Sequence, residues 1–285
     1  MANIKTKEIN ILPHRSLMPK IGQTGYSVLQ AISELVDNSI DAREDGKALT
    51  VEIIFNSDKG MVEISDDGVG MDEQTAANSM KLAYSAKKNK LGEFGLGLKT
   101  AATSLGKNFQ ITTTQKCSDE EYIMEYDEEK WLKSGDWTKH EMKIKSGVDK
   151  RRSGTTIRIR NLHFKHYGNL PGNIRKDLAT RFAPFIENGE VKIKVNTKWC
   201  EPESLDLKTE YYLPDGKEPF RQKLESGNEV WGWRGLLKKG SINEYGFRVF
   251  RRGRLIMQFA KLGFNPHPEA RQIVGEIHLD HVPVT

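Results

Sequence analysis

Three polar side chains on one predicted helix have the types and spacing to hold a metal ion and activate water. Glu34, Asn38 and Asp41 are spaced i, i+4 and i+7, so their side chains share one helix face. Mg²⁺ prefers oxygen ligands and keeps several waters, so the Asn38 carbonyl oxygen fits as its single protein ligand. Glu34, one turn away, is placed to orient or deprotonate a water molecule. The alternative is an ordinary solvated helix face.

A short loop with two glycines follows a predicted strand and begins with a carboxylate. Asp66, Gly68 and Gly70 form the pattern Asp-x-Gly-x-Gly. The glycines permit a positive φ and a close approach of the backbone to a ligand. The Asp66 carboxylate is expected to accept a hydrogen bond from an exocyclic amine. An ordinary turn is the alternative for this loop alone.

A second glycine-rich segment, GEFGLGLKT, runs from Gly92 to Thr100. It does not match a P-loop, because Leu98 separates Gly97 from the lysine. A glycine-rich turn that opens a helix nevertheless presents backbone N–H groups and a positive dipole end to phosphate. Positive charge is expected nearby from four lysines, unless they form a solvated face: Lys87, Lys88, Lys90 and Lys99.

The elements that must position these groups indicate an α+β fold. Apolar residues at helical spacing predict a helix over 24–43, with Thr24 as N-cap. A predicted hairpin of strands 51–55 and 61–65 follows. Further helices are predicted over 72–82 and 96–105, and further strands over 108–115, 120–127, 139–145 and 154–161. Helices that come early and strands that follow consecutively favour an antiparallel or mixed sheet.

The second half of the chain is also predicted to mix helix and strand. Residues 163–171 have the polar and turn-forming composition of a linker, and a helix is predicted over 173–186. The strands predicted after that helix are 190–196, 229–238, 245–251, 254–259 and 273–280.

Length and composition exclude several classes of protein. The 285 residues exceed one typical domain of ~100–200 residues. The sequence contains neither an apolar run of ~18 residues nor the apolar stretch of a signal peptide. The two cysteines, Cys117 and Cys200, are too few for a disulfide framework or a cysteine-based zinc site. We therefore expect a cytoplasmic protein with no membrane partner.

Basic residues concentrate in one part of the second half. Residues 234–261, called the basic stretch below, carry eight lysines and arginines against one acid, Glu244. Lysine and arginine contact nucleic-acid phosphates without reading sequence. The stretch therefore predicts a possible path for DNA, and a solvated pair of strands is the alternative.

Taken in order, the motifs resemble those of a known superfamily. The string Glu-x-x-x-Asn-x-x-Asp-Ala is followed by Asp-x-Gly-x-Gly-Met, then Gly-x-Phe-Gly-x-Gly, then Gly-Thr. This order is similar to the N-box, G1, G2 and G3 motifs of the GHKL ATPases, which include gyrase B, the ninety-kilodalton heat-shock chaperone, histidine kinases and MutL. The strings ELVDNSIDA and GLGLKTAA look most like Microrchidia (MORC) and MutL proteins.

The resemblance implies a Bergerat α/β sandwich that binds ATP with Mg²⁺. It implies that Glu34 is the water-activating base, Asn38 the metal ligand and Asp66 the carboxylate that binds the adenine amino group. Thr155 or Thr156, with Thr155 favoured, is implied to support that carboxylate through water. The other residues implied to line the nucleotide site are Asp41, Ala42, Gly68, Gly70, Met71, Ser85, Lys87, Gly92, Phe94, Gly95, Leu96, Gly97, Leu98 and Lys99.

The resemblance also implies a domain division and an assembly. Residues 1–165 would form the ATP-binding domain with a lid at about 83–95. Residues 166–285 would form a ribosomal-S5-like transducer, truncated before the lysine that contacts the γ-phosphate in relatives. ATP binding would close the lid and join two copies through the arm at 1–23, as a molecular clamp on DNA.

Three functions remain open at this stage. The first is a slow, Mg²⁺-dependent ATPase coupled to dimer closure. The second is a nucleotide-binding switch with negligible hydrolysis. The third is phosphotransfer of the histidine-kinase type, against which Glu34 argues, because histidine kinases usually lack a glutamate at that position.

Overall fold

The computed structural model describes residues 6–9, 11–23, 25–84, 95–165, 168–209 and 214–281. These divide into two compact units. The first contains the described residues up to 42, together with 53–84 and 95–165. The second contains 43–52, 168–209 and 214–281. The boundary predicted near residue 165 stays a prediction.

The first unit combines helices with a mostly antiparallel sheet. Its helices are α1 (Leu17–Gly22), α2 (Val28–Asp41), α3 (Glu73–Ser79), α4 (Gly97–Leu105) and α5 (Glu128–Ser134). Its strands are β1 (Leu49–Asn56), β2 (Met61–Asp66), β3 (Gly106–Thr114), β4 (Glu120–Asp127), β5 (Met142–Ser146) and β6 (Gly154–Leu162). The strand order is β5-β4-β3-β6-β2-β1, and residues 49–52 of β1 belong to the second unit.

Helix α2 begins later than its apolar pattern predicts. Its N-cap is Ser27, whose hydroxyl accepts from Gln30 N–H while the Gln30 side chain accepts from Ser27 N–H. This reciprocal capping box starts the helix at Val28. The predicted cap, Thr24, lies outside the described residues. Ile32 and Leu35 of α2 are fully buried, as the periodicity predicts.

The second unit contains a further sheet. Its elements are α6 (Leu170–Arg181), α7 (Ala183–Glu187), β7 (Val191–Val195), β8 (Lys198–Trp199), β9 (Glu218–Lys223), β10 (Glu229–Leu236), β11 (Gly246–Arg251), β12 (Arg254–Ala260), a 3₁₀ turn (Pro268–Gln272) and β13 (Ile273–His278). The strand order of the five-stranded sheet is β12-β11-β13-β10-β9, with β11 and β13 parallel and the other neighbours antiparallel.

The α+β prediction is confirmed, with local differences. The helix predicted over 173–186 is two helices that meet at Phe182, with Pro184 in the first turn of α7. Proline lacks the N–H that would continue the α6 hydrogen-bond ladder, so the chain restarts a helix there. Helices α1 and α5 and strands β8 and β9 were not predicted. None of the helices in the described part of the chain has the length and apolar character that a membrane crossing requires.

Candidate functional site

Helix α2 leaves one accessible strip on an otherwise buried surface. Between Ala31 and Ile40, Glu34 and Asn38 are half-exposed and every other residue is buried. Asn38 Nδ2 donates to the Glu34 main-chain oxygen at 2.9 Å. This bond fixes the orientation of the Asn38 amide group on the strip. Asp41, the last residue of α2, is also half-exposed.

The Asp66 carboxylate is held by three donors. Ser39 Oγ donates to Asp66 Oδ2 at 2.9 Å, while the N–H groups of Gly68 and Thr155 donate to Oδ1 at 3.1 and 3.2 Å. Burial raises the pKa of Asp66 to about 6, although the three hydrogen bonds oppose that shift. The result is a fixed, half-buried carboxylate, and a hydrogen bond to an amine is stronger there than in bulk water.

The loop after Asp66 requires its glycines. A β-carbon at Gly68 would lie 2.7 Å from the Ala42 main-chain oxygen. Gly70 has φ +67°, and a β-carbon there would overlap the main-chain oxygen of Thr114. Both positions are therefore restricted by neighbouring backbone, and at Gly70 the left-handed conformation adds a second restriction.

Main-chain hydrogen bonds fix the same loop on two sides. Val69 N–H donates to Ala42 O at 2.9 Å, which joins the loop to the end of α2. Lys116 N–H donates to Val69 O at 2.9 Å, which joins it to the segment after β3. Ala42 thus supports the loop through its carbonyl group.

Two threonines, Thr113 and Thr155, support the loop that follows Asp66. Met71 N–H donates to Thr113 Oγ1 at 3.0 Å, and Thr113 Oγ1 donates to Gly154 O at 3.1 Å. Thr155 Oγ1 lies 3.0 Å from Thr113 Oγ1. Because Thr155 also donates its N–H to Asp66, the start of β6 contacts the carboxylate and its loop together.

The N-terminus of α4 lies beside the accessible strip of α2. A β-carbon at Gly97, the first residue of α4, would lie 3.1 Å from Glu34 Oε2. Leu96 is the N-cap residue and makes no side-chain capping bond. The first N–H groups of a helix have no partners within it, so this terminus suits an anion. The structure thus brings Glu34 to the helix end that was predicted to bind phosphate.

Two predicted site residues of the segment from Gly92 to Thr100, Gly95 and Lys99, contact main-chain atoms. Gly95 packs on the main chain of Tyr84, where a β-carbon would overlap the Tyr84 oxygen. Lys99 was predicted to add charge beside phosphate, but its side chain is buried and bonded to main-chain oxygens. The described residues do not include four other predicted site residues: Ser85, Lys87, Gly92 and Phe94.

The segment that carries this arrangement matches a known family of proteins. Residues 26–155 match the family described as "Histidine kinase-, DNA gyrase B-, and HSP90-like ATPase". Residues 26–155 are called the GHKL-type domain below, after the family that they match. The match contains Glu34, Asn38, the Asp66 loop and the α4 N-terminus, and it ends at Thr155. The description of the matched family is that of an ATPase.

The GHKL-type domain is similar in sequence to Microrchidia proteins. It is 37% identical to ATPase morc-1 of Caenorhabditis elegans over 91 residues, which are 32% of this chain and 10% of that protein. It is 37% identical over 84 residues to Protein MICRORCHIDIA 7 of Arabidopsis thaliana, covering 27% and 12%. It is 34% identical over 93 residues to human ATPase MORC2, covering 30% and 9%. The matched segment thus spans about a tenth of each relative.

Two residues of the GHKL-type site were missed by sequence reasoning. Ser39 belongs to α2 but points to Asp66, and Thr113 at the end of β3 supports the glycine loop. A serine at a position buried by helical periodicity was the available signal for Ser39. Nothing in the β3 pattern distinguishes Thr113 from its neighbours Thr112 and Thr114.

The basic stretch is less available than its charge count suggests. Arg234 pairs with Glu218 at 2.7 Å, and Lys238 pairs with Asp206 at 2.8 Å. Arg251 is buried. Three of the eight bases are therefore paired or buried, and a DNA path along the basic stretch stays a prediction.

Proposed function

We propose that the GHKL-type domain binds ATP and hydrolyses it with Mg²⁺, with Glu34 as the general base. The single observation that carries this proposal is the proximity of Glu34 Oε2 to Gly97 at the N-terminus of α4. A carboxylate at the end of a helix that attracts phosphate is well placed to take a proton from water attacking the terminal phosphate.

Adenine recognition is assigned to Asp66. Its carboxylate is held by Ser39, Gly68 and Thr155 and is ionised at neutral pH, since its pKa is raised only to about 6. An ionised carboxylate accepts a hydrogen bond from the exocyclic amine of adenine, whereas a guanine base presents an oxygen at the equivalent position. The site is therefore expected to prefer ATP to GTP.

The residues present fit a Mg²⁺ ion with few protein ligands. Asn38 offers an amide oxygen on the same face as Glu34, one helical turn away. Among the described residues no three histidine, cysteine, aspartate or glutamate side chains are grouped closely enough to hold a metal. Asn38 would hold the ion, and the ion would neutralise phosphate charge during the transfer.

Replacement of the proposed base tests the assignment. Glu34→Gln keeps the size of the side chain and removes its basicity, so kcat should fall ~100-fold or more while ATP affinity stays within about threefold. Glu73→Gln on α3 is the control, since Glu73 is an exposed carboxylate and should leave kcat unchanged. Unchanged turnover in Glu34→Gln would reject Glu34 as the base. Tight binding without turnover in the wild type would favour the nucleotide-binding switch.

We also propose that ATP binding joins two copies of the chain. Apolar side chains near the N-terminus support this proposal, since Ile9, Ile11 and Leu12 are 74%, 86% and 53% exposed. Exposed apolar groups are commonly buried in protein contacts. Light scattering of the purified chain should show a doubled mass with a non-hydrolysable ATP analogue and Mg²⁺. Ile9→Asp with Ile11→Asp should keep the chain monomeric without reducing ATP affinity.

DNA association and a cytoplasmic location stay as predictions. Given the ion pairs of Arg234 and Lys238, DNA binding is expected to be weak and to fall steeply with salt. A binding constant that is independent of salt would reject contacts between the basic stretch and phosphates.

A further inference from the structure

Lys99 makes an unusual contact between two helices of the first unit. Its side chain is 2% exposed, and Nζ donates to the main-chain oxygens of Ser79 and Lys81, both at 2.7 Å. Ser79 is the last residue of α3. Carbonyl groups at the end of a helix lack partners within it and carry partial negative charge. Lys99 of α4 therefore caps the C-terminal end of α3.

Burial of the Lys99 ammonium group carries a free-energy penalty, which its two hydrogen bonds oppose. Ala101, Ala102 and Leu105 of the same helix are fully buried and apolar. Burial lowers the pKa of Lys99 to about 8, which reflects the free-energy penalty of placing an ammonium group out of water. An apolar replacement would remove this penalty, but it would also leave the main-chain oxygens of Ser79 and Lys81 without their donor. The lysine contributes two directional hydrogen bonds, and these fix the position of α4 against α3.

The contact of Lys99 with α3 lies near the N-terminus of α4, which is the end proposed to bind phosphate. Lys99 is two residues from Gly97, which lies beside Glu34 Oε2. The opposite end of α4 is anchored separately, since Ser104 Oγ donates to Gly22 O at 2.9 Å. Loss of the Lys99 bonds would therefore allow the first turn of α4 to shift relative to Glu34 while the far end stays in place.

We propose that Lys99 is a positioning residue, which holds the first turn of α4 through Ser79 and Lys81 so that phosphate is presented to Glu34. This inference rests on the proposed function, because it assigns phosphate to that turn and the base to Glu34. It differs from a direct phosphate contact, since the Lys99 ammonium group is committed to main-chain oxygens.

The principal test is Lys99→Met, which keeps an unbranched side chain and removes the charge and the donors. We expect kcat to fall 10- to 100-fold, because a displacement of about 1 Å at a reacting centre can cost that much. ATP affinity should change less than about threefold, because the Asp66 contacts remain. The melting temperature without nucleotide should change by only a few degrees, because relief of the buried charge and loss of two hydrogen bonds oppose each other.

The matched control is Thr103→Val, on the same helix. Thr103 is also buried, and its hydroxyl donates to the Lys99 main-chain oxygen at 2.6 Å, within α4. This variant disturbs the interior of α4 and leaves the bonds to α3 intact, so its kcat should equal that of the wild type. Wild-type kcat in Lys99→Met would overturn the proposal. The proposal would also be overturned if kcat fell in both variants in proportion to their loss of stability.

A second measurement does not depend on hydrolysis. Hydrogen exchange of the nucleotide-free protein should show the amides at 100–102, the first that donate within the helical pattern of α4, exchanging about tenfold faster in Lys99→Met, with α2 and β3 unchanged. Unchanged exchange at these amides would overturn the positioning role. A wild-type protein that fails to bind or hydrolyse ATP would contradict the proposed function, while the exchange result would still decide whether Lys99 holds the first turn of α4.

Discussion

Ser39 and Asp66 are joined by a hydrogen bond of 2.9 Å between Ser39 Oγ and Asp66 Oδ2. The bond links two parts of the site that lie 27 residues apart in sequence. Ser39 follows Asn38 directly on α2, so the helix that carries the proposed metal ligand and base also orients the proposed adenine-binding carboxylate. Nucleotide base and phosphate recognition therefore share one rigid helix.

Removal of the Ser39 hydroxyl should weaken ATP binding moderately. Ser39→Ala takes one donor from Asp66, and a hydrogen bond to a charged group contributes about 1.5–3 kcal/mol, part of which water replaces. We expect ATP affinity measured by calorimetry to fall roughly 3- to 30-fold. Ser33→Ala is the control, because Ser33 is equally buried on α2 and its hydroxyl donates to Leu29 O at 2.8 Å within the helix. Equal losses in both variants would contradict a specific role for Ser39.

Asp66→Asn should separate binding from stability. The variant is isosteric, and Ser39 can reverse its hydrogen bond to accept from the new amide. Because burial of the charged carboxylate is unfavourable, as its raised pKa shows, the melting temperature without nucleotide should be unchanged or higher at pH 7.5. Mg²⁺ and ATP should raise the melting temperature of the wild type and not that of the variant. A nucleotide-dependent increase of wild-type size in Asp66→Asn would disprove the adenine role.

Acid should weaken nucleotide binding through Asp66. With a folded-state pKa of about 6, the carboxylate is ionised above that pH and becomes protonated as the pH falls through it. A protonated acid is a poorer acceptor for the adenine amine, so affinity should decrease between pH 7 and pH 5. Adenosine is the proper probe, since it has no phosphate group that titrates in this window. Adenosine affinity that is constant from pH 5 to pH 8 would contradict the assignment.

The raised pKa of Asp66 also makes the free energy of unfolding depend on pH. The direction is opposite to that for a carboxylate whose pKa is lowered by an ion pair. Between the unfolded value of 3.8 and about 6, the folded protein binds the extra proton. The contribution of Asp66 to the free energy of unfolding therefore falls as pH rises through this window and is constant above it.

Gly70→Ala should reduce stability and ATP affinity by more than the cost of a left-handed φ at position 70 explains. A left-handed φ costs a residue with a side chain about 1–2 kcal/mol, and at Gly70 the new methyl group would also overlap Thr114 O. Gly60 supplies the control, since it has φ +54° but nothing within 4 Å of an added β-carbon. Urea unfolding should show a loss of about 1 kcal/mol for Gly60→Ala with ATP affinity retained. Gly70→Ala should lose more than 2 kcal/mol and at least tenfold in affinity, and equal effects would show that the overlap is unimportant.

The sequence by itself determined the local parts of this protein. Helical periodicity placed Glu34 and Asn38 on one accessible face, because side chains four residues apart on a helix must be neighbours. Alternating apolar residues located β2, β3, β4 and β6 near their observed bounds. Glycine chemistry marked the loop at Gly68 and Gly70, since few other residues tolerate such close backbone.

Only the tertiary structure decided which of these parts meet. Whether Ser39 faces a core or a carboxylate depends on where β2 ends, and the pairing of β2 with β6 brings Thr155 to Asp66. Lys99 shows the limit most clearly, because its charge predicted an exposed phosphate contact and its packing buried it against Ser79 and Lys81. Spacing along the chain constrains neighbours on one element, whereas contacts between elements depend on packing over many residues, which no local pattern specifies.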